Sequence, residues 1–201
     1  MNKMLRSLLL QLPDAYRVLY DIKNNYLINF YLKKVHETDF NGFKLICQNN
    51  PQLFLDIGAN AGMSALSIYT LKPNAAVISF EPNPLNYPYL DKLADKFNNF
   101  QYEQVGLGDQ AGLLDFYYPV YNSKKMTALG SCNYLMAKSW LNNDTVYFFD
   151  SNKLEIEKVT VEIKTLDSFQ LEPEFIKIDV EGFEYQVLLG GEKTIKENLP
   201  I

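Results

Sequence analysis

The chain has 201 residues, 47% of them hydrophobic and 14% aromatic, enough for one sizeable core and too few for two full domains. Its net charge of −5 and pI near 5.0, with lysines scattered rather than gathered in a stripe, argue against duplex nucleic acid or an anionic bilayer as a partner. Cys47 and Cys132 lie far apart without a metal-type pair spacing and read as reduced thiols of a reducing, cytoplasmic compartment.

The start, Met1-Asn2-Lys3-Met4-Leu5-Arg6-Ser7, has a basic flavour, but Gln11 and Pro13 cut the following Leu8-Leu9-Leu10 run well short of a signal-peptide core. No export signal is expected, and no unbroken apolar run of about 18 residues is present to span a membrane. Up to about residue 49, Leu5, Leu8, Leu9, Leu12, Tyr16, Leu19, Tyr20, Tyr26, Leu27, Phe30 and Tyr31 recur at three and four, which predicts a helical cap over residues 1–49. Its aromatic face could instead dock a partner or lie on a membrane surface, but its polar positions are not strongly basic, so core packing is the expected use. His36, the only histidine, falls in this segment and is left outside the expected site.

From Leu53 a short apolar strand runs into Asp56-Ile57-Gly58-Ala59-Asn60-Ala61-Gly62 and then a helix carrying Met63, Leu66, Ile68, Tyr69 and Leu71. The glycines let backbone approach a ligand at a helix N-terminus, and Asp56 stands at the strand's carboxyl end, where open α/β sheets bind ligands. A strand–Gly-x-x-x-Gly–helix junction is also a common packing device, so the loop alone decides nothing. Asn60 replaces the middle glycine of a dinucleotide fingerprint, which fits a nicotinamide cofactor and its oxidoreductase chemistry poorly. An acid before the loop suits instead the ammonium of a bound amino acid, such as that of S-adenosylmethionine. A second strand, Ala76 to Phe80, ends in Glu81, placed to accept from two ribose hydroxyls, with Pro82 following.

Asn83 can cap, and Pro84 can open, a helix bearing Leu85, Tyr89, Leu90, Leu93 and Phe97. Phe100 to Gly106 reads as a third strand, and Gly106-Leu107-Gly108-Asp109 as a rim turn whose Asp109 could reach an adenine edge or serve as a plain turn. Leu113 to Tyr118 and Lys158 to Lys164 read as strands, with an irregular insertion between them whose Ser131, Tyr134 and Trp140 suit a lid or substrate loop. Phe175 to Asp179 is a further buried strand, expected beside the first, which puts Asp179 and Glu181 next to the reacting end of a cofactor.

Taken together, Asp-Ile-Gly-Ala-Asn-x-Gly, Phe80-Glu81-Pro82, Thr165-Leu166-Asp167-Ser168, Lys177-Ile178-Asp179-Val180-Glu181-Gly182-Phe183-Glu184 and Val187-Leu188-x-Gly190-Gly191 resemble the FkbM family of S-adenosylmethionine-dependent methyltransferases over Leu53 to Ile201. The resemblance implies an α/β, Rossmann-like class I methyltransferase sheet in a domain over residues 50–201, with O-methylation of a hydroxyl on a sugar or secondary metabolite. It implies that Asp56, Gly58, Asn60 and Gly62 hold the methionine part, Glu81 the ribose and Asp109 the adenine, with Ala59 and Pro82 also lining the cofactor. Family members continue past the Asn198-Leu199-Pro200-Ile201 stretch into further strands, so the chain is expected to be truncated at its C-terminus, its sheet incomplete and one edge open to homo-oligomers. A non-catalytic cofactor-binding or partner-binding remnant is the alternative. With no histidine expected nearby, Asp179 or Glu181 is the candidate proton acceptor, directly or through a divalent cation; otherwise Asp179 orients the cofactor and Glu181 caps the next helix.

Overall fold

The computed structural model describes residues 3–11, 35–44, 53–126 and 129–201. Leu12, the aromatic positions Tyr16 to Tyr31 expected in the helical cap, and Cys47 lie outside the described residues. In chain order come α1 (Lys3–Gln11), a 3-10 helix (Thr38–Lys44), β1 (Leu53–Ile57), α2 (Met63–Leu71), β2 (Ala76–Phe80), α3 (Tyr87–Lys96), β3 (Phe100–Glu103) and β4 (Gly106–Leu107). There follow β5 (Gly112–Tyr121), β6 (Lys124–Lys125), α4 (Tyr134–Ser139), β7 (Leu154–Lys164), β8 (Phe175–Ile178), α5 (Glu184–Gly190) and α6 (Glu192–Asn198). They fall into two compact units, each discontinuous in sequence: Met1–Asn25 with Leu114–Thr160, and Tyr26–Leu113 with Val161–Ile201.

The second unit holds a parallel sheet in the order β3-β2-β1-β8, with helices between successive strands. Register sets Asp56 opposite both Ser79 and Lys177, and Ile57 opposite both Phe80 and Ile178, so β1, β2 and β8 end on one rim. Because side chains alternate along a strand, β1 feeds two cores. Phe54 joins Val77, Phe100, Phe40, Phe43 and the α2 and α3 residues Ala65, Leu66, Ile68, Leu90 and Leu93 on one face. Leu55 and Ile57 join Phe80, Leu107, Leu166 and Val187 on the other. The α2 helix is buried nearly all round, from Ser64 to Tyr69, so its apolar spacing is broader than a single stripe. Along β8, Ile201 N–H donates to Glu174 O and Ile176 N–H to Ile201 O, each at 3.1 Å, the bond pattern of a parallel neighbour.

The expected strand Phe100 to Gly106 is two strands. It breaks after Glu103, and Gly106–Leu107 pair in parallel with Ile163 and Lys164 of β7 in a second sheet of order β4-β7-β5-β6. A Cβ on Gly106 would stand 2.6 Å from Ile163 Cδ1, so the glycine is what lets the chain switch sheets here. The helix after Glu81 begins at Tyr87, later than expected: Asn83 Oδ1 instead accepts from Leu85 N–H in a local turn, and Asn86 takes the N-cap position.

The other unit is folded rather than irregular. Leu10 of α1, Tyr121, Met126, Leu141 and Val146 share a core, Ser7 Oγ accepts from Tyr147 N–H at 2.7 Å, and Tyr121 Oη accepts from Asp150 N–H at 2.9 Å. Ser131 forms a backbone bridge with Tyr117, Tyr134 opens α4 and Trp140 closes it. None of the described helices is long and apolar enough to cross a membrane.

Gly58 has φ 84°, and a Cβ there would fall on the carbonyl oxygen of Asp179. Gly58→Ala is therefore expected to destabilise by roughly 1–3 kcal/mol from the left-handed backbone alone, and by more once β1 and β8 are pushed apart. Urea unfolding checks this; a variant as stable as wild type would contradict the packing described.

Candidate active site at the strand ends

Asp56, Ser79, Glu81, Lys177 and Asp179 share the parity that faces α2 and α3, and the common register brings them to one end of the sheet. Asp56 is 0% exposed. Its Oδ1 lies 3.1 Å from Lys177 Nζ, and its Oδ2 accepts from Ser79 Oγ at 3.3 Å. Lys177 also donates to Gly58 O at 3.1 Å and stands 3.6 Å from Asp179 Oδ2. Burial pushes the Lys177 ammonium toward neutrality, but the charges of Asp56 and Asp179 outweigh it and hold its pKa above the ordinary lysine value. That contribution to stability is complete below the unfolded lysine pKa and is lost as pH rises through the raised value, so it is constant across the neutral range.

Asp56 therefore does not present a free anion to an incoming ammonium; its charge is already paired. The exposed carboxylate of the trio is Asp179, whose side chain is 63% accessible. Lys177, a residue the sequence reading left out of the site, is the centre of the cluster. Its signal was a lone ammonium inside the apolar run Phe175-Ile176-Lys177-Ile178, where an unpaired charge would be too costly to bury.

At the end of β2, Glu81 is 5% exposed and bridges two loops: Oε2 accepts from Asn60 N–H at 2.7 Å and Oε1 from Asn83 N–H at 2.8 Å. Burial raises its pKa, against the pull of the Asn83 N–H, the Asn86 side chain and the Asn60 N–H. Gly58 and Ala59 N–H groups donate to Phe80 O, and Asn60 adopts φ 50°, so the whole loop is tied to the end of β2. A Cβ on Gly62 would strike Leu93 of α3; the need for glycine at both ends of this loop comes from protein packing as well as from left-handed backbone. Pro82 is half-buried, and its carbonyl accepts from Tyr87 Oη at 3.1 Å.

Glu181 has φ 51°, and the turn around it is held by Glu184, whose Oε1 accepts from Val180 N–H at 3.3 Å and Gly182 N–H at 3.1 Å. The Glu181 pKa is raised by burial and by the neighbouring charges of Asp179 and Glu184. Among the described residues no group of three or more His, Cys, Asp or Glu side chains is arranged to hold a metal ion. Asp109 is exposed after β4, its backbone against Gly190. His36 is nearer the cluster than expected. Its N–H and Nδ1 both lie on Ser67 Oγ of α2, at 3.0 and 2.8 Å, and it is within electrostatic range of Lys177, Asp56 and Asp179. Burial is the chief reason its pKa is lowered.

A family model described as the methyltransferase FkbM domain matches residues 56–201. Among curated proteins, the chain is 25% identical over 150 residues to the 2-O-methyltransferase NoeI of Sinorhizobium fredii, covering 71% of this chain and 58% of that protein. It is 30% identical over 161 residues to the methyltransferase sdnD of Sordaria araneosa, covering 71% of this chain and 61% of that one. The chain thus spans less than two thirds of the length of these relatives. Among solved structures, the crystal structure of methyltransferase FkbM from Methylobacillus flagellatus superposes with a TM-score of 0.52 at 16% identity, covering 85% of this chain and 35% of that one, a likeness of fold.

Lys177→Met strands the buried Asp56 carboxylate and is expected to destabilise by roughly 3–5 kcal/mol at pH 8. An orphaned buried carboxyl binds its proton more tightly in the folded than in the unfolded chain, so the deficit narrows as pH falls toward 5. Adding Asp56→Asn is expected to recover most of the loss. Urea unfolding of the three chains at both pH values checks this, and a neutral single substitution would contradict it.

Proposed function

From the premise that the chain belongs to the FkbM methyltransferase domain family, we propose that it is an S-adenosylmethionine-dependent O-methyltransferase acting on a hydroxyl of a sugar or secondary metabolite. The observation that carries this reading is the convergence of β1, β2 and β8 on one rim, with Asp56, Glu81 and Asp179 on the same face. The name of the Sinorhizobium relative, a 2-O-methyltransferase, supports oxygen as the acceptor atom.

The residues present fit this cofactor. Three carboxylates against one lysine ammonium leave the strand ends net negative, matched to a molecule that carries a sulfonium and an ammonium. Glu81 suits the ribose hydroxyls, the backbone of Gly58 to Gly62, anchored through Lys177 to Asp56, suits the methionine end, and Asp109 is assigned to the adenine. When bound, the cofactor supplies an electrophilic methyl group on a sulfonium.

The chain's own task is to orient the acceptor hydroxyl and take its proton. Holding acceptor and donor in line supplies on the order of 7–11 kcal/mol of barrier reduction in well-oriented systems. Glu181 is the proton acceptor in this scheme, because burial and the charges of Asp179 and Glu184 raise its pKa. Its left-handed backbone, fixed by the Glu184 bonds, is the kind of strain that collects at working sites. Asp179, beside Lys177, serves to orient in this scheme.

Methyl-labelled S-adenosylmethionine with a panel of mono- and oligosaccharides tests the activity. The ionised fraction of Glu181 grows as pH climbs through its raised pKa, so turnover is expected to rise with pH and then level. Glu181→Gln is expected to lower kcat by roughly 10²-fold or more and to flatten that profile, with affinity for S-adenosylhomocysteine nearly unchanged. Undiminished turnover with the same pH profile would remove Glu181 as the base.

A further inference from the structure

Glu81 has too few free acceptor positions to take a ribose diol unaided. A carboxylate offers about four acceptor positions, and the Asn60 N–H, the Asn83 N–H and the Asn86 side-chain amide occupy three of them. One remains for the two vicinal hydroxyls of a ribose.

A second acceptor lies beside it. Asn86 is 2% exposed, and its Oδ1 is buried without a hydrogen-bond partner among the described residues. This is unusual for the position. Asn86 is the N-cap residue of α3, where an asparagine oxygen ordinarily accepts from the first turn, yet it makes no side-chain cap bond. Its backbone is fixed, since its N–H donates to Asn83 O at 3.0 Å. The side chain forgoes the cap and its amide N–H donates to Glu81, which leaves Oδ1 of the same amide idle. Asn83, 1% exposed, adds a donor, Nδ2, that has no partner among the described residues. Two buried asparagines in one turn, each with an idle polar atom, have a physical reason if a ligand completes their bonding.

Resting on the cofactor reading above, the geometry points to Asn86 as a second ribose-binding residue: one hydroxyl donates to the last acceptor position of Glu81, and its neighbour donates to Asn86 Oδ1. The site then reads the two hydroxyls separately. Loss of either one from the ligand is felt, and each loss couples to a different side chain.

Calorimetric titration of wild type, Asn86→Ala and Glu81→Gln with S-adenosylhomocysteine and with its 2′-deoxy and 3′-deoxy counterparts tests this. Wild type is expected to lose about tenfold in affinity for either deoxy ligand, the equivalent of one net hydrogen bond. Asn86→Ala is expected to bind S-adenosylhomocysteine about tenfold more weakly, to suffer no further loss with one deoxy ligand, and to keep the full loss with the other. Glu81→Gln is expected to blunt the other hydroxyl instead. If Asn86→Ala does not fold, Asn86→Ser restores a capping residue to α3 and is expected to give the same pattern. Equal weakening of all three ligands, or wild-type binding of all three, would overturn the assignment of Asn86 alone. Failure of wild type to bind S-adenosylhomocysteine would overturn the cofactor reading and this inference with it.

Discussion

The ammonium of Lys177, held between a fully buried Asp56 and the exposed Asp179, is the interaction on which the candidate site depends. A carboxylate with no solvent access at the end of a central strand would be severely destabilising by itself, and the lysine on the adjacent strand relieves it. The same lysine bonds Gly58 O, so one side chain joins the ends of β1 and β8 to the first glycine of the loop. Gly58 in turn must be glycine because Asp179 O occupies the space of its Cβ. The charge cluster and the close backbone approach are therefore one construction.

Glu81 plays the corresponding part on the other side of β1. It collects N–H groups from the loop after β1 and the turn after β2, and so fixes the two loops relative to each other before any ligand arrives. Its raised pKa reflects how deeply it is buried, and a further donor from a ligand would favour the ionised form. A preformed acceptor of this kind reduces the ordering that binding demands.

Much of this was legible in the residues. The apolar runs ending in Asp56, Glu81 and Asp179 identified three strands and their shared rim, because a parallel strand buried on both faces is written as a short unbroken apolar segment. The break after Glu103 was not legible, since Val105 and Leu107 continue the apolar pattern while the chain changes sheets; only the contact of Gly106 with Ile163 reveals it. Pairing of Asp56 with Lys177 was hidden for a related reason: 121 residues of separation by number, reduced to one register step by a crossover that the local pattern does not encode. Two motif positions proved to be structural. Asp167 accepts from the N–H groups of Lys193 and Thr194 at the start of α6, and Gly190 leaves room for the carbonyl of Gly108. The stretch expected to be a lid or substrate loop, between the two long strands, sends Leu141 and Val146 into a core with Leu10 and Tyr121, while its Tyr134, Tyr147 and Phe148 stay exposed.

The central claim is that the ends of β1, β2 and β8 form one binding site. Hydrogen exchange read by mass spectrometry, with and without S-adenosylhomocysteine, tests it most directly, because it reports where on the chain a ligand acts. The account predicts added protection concentrated in three separate segments, 56–62, 80–86 and 177–183. Protection confined to one of these segments, or found only elsewhere in the chain, would contradict it.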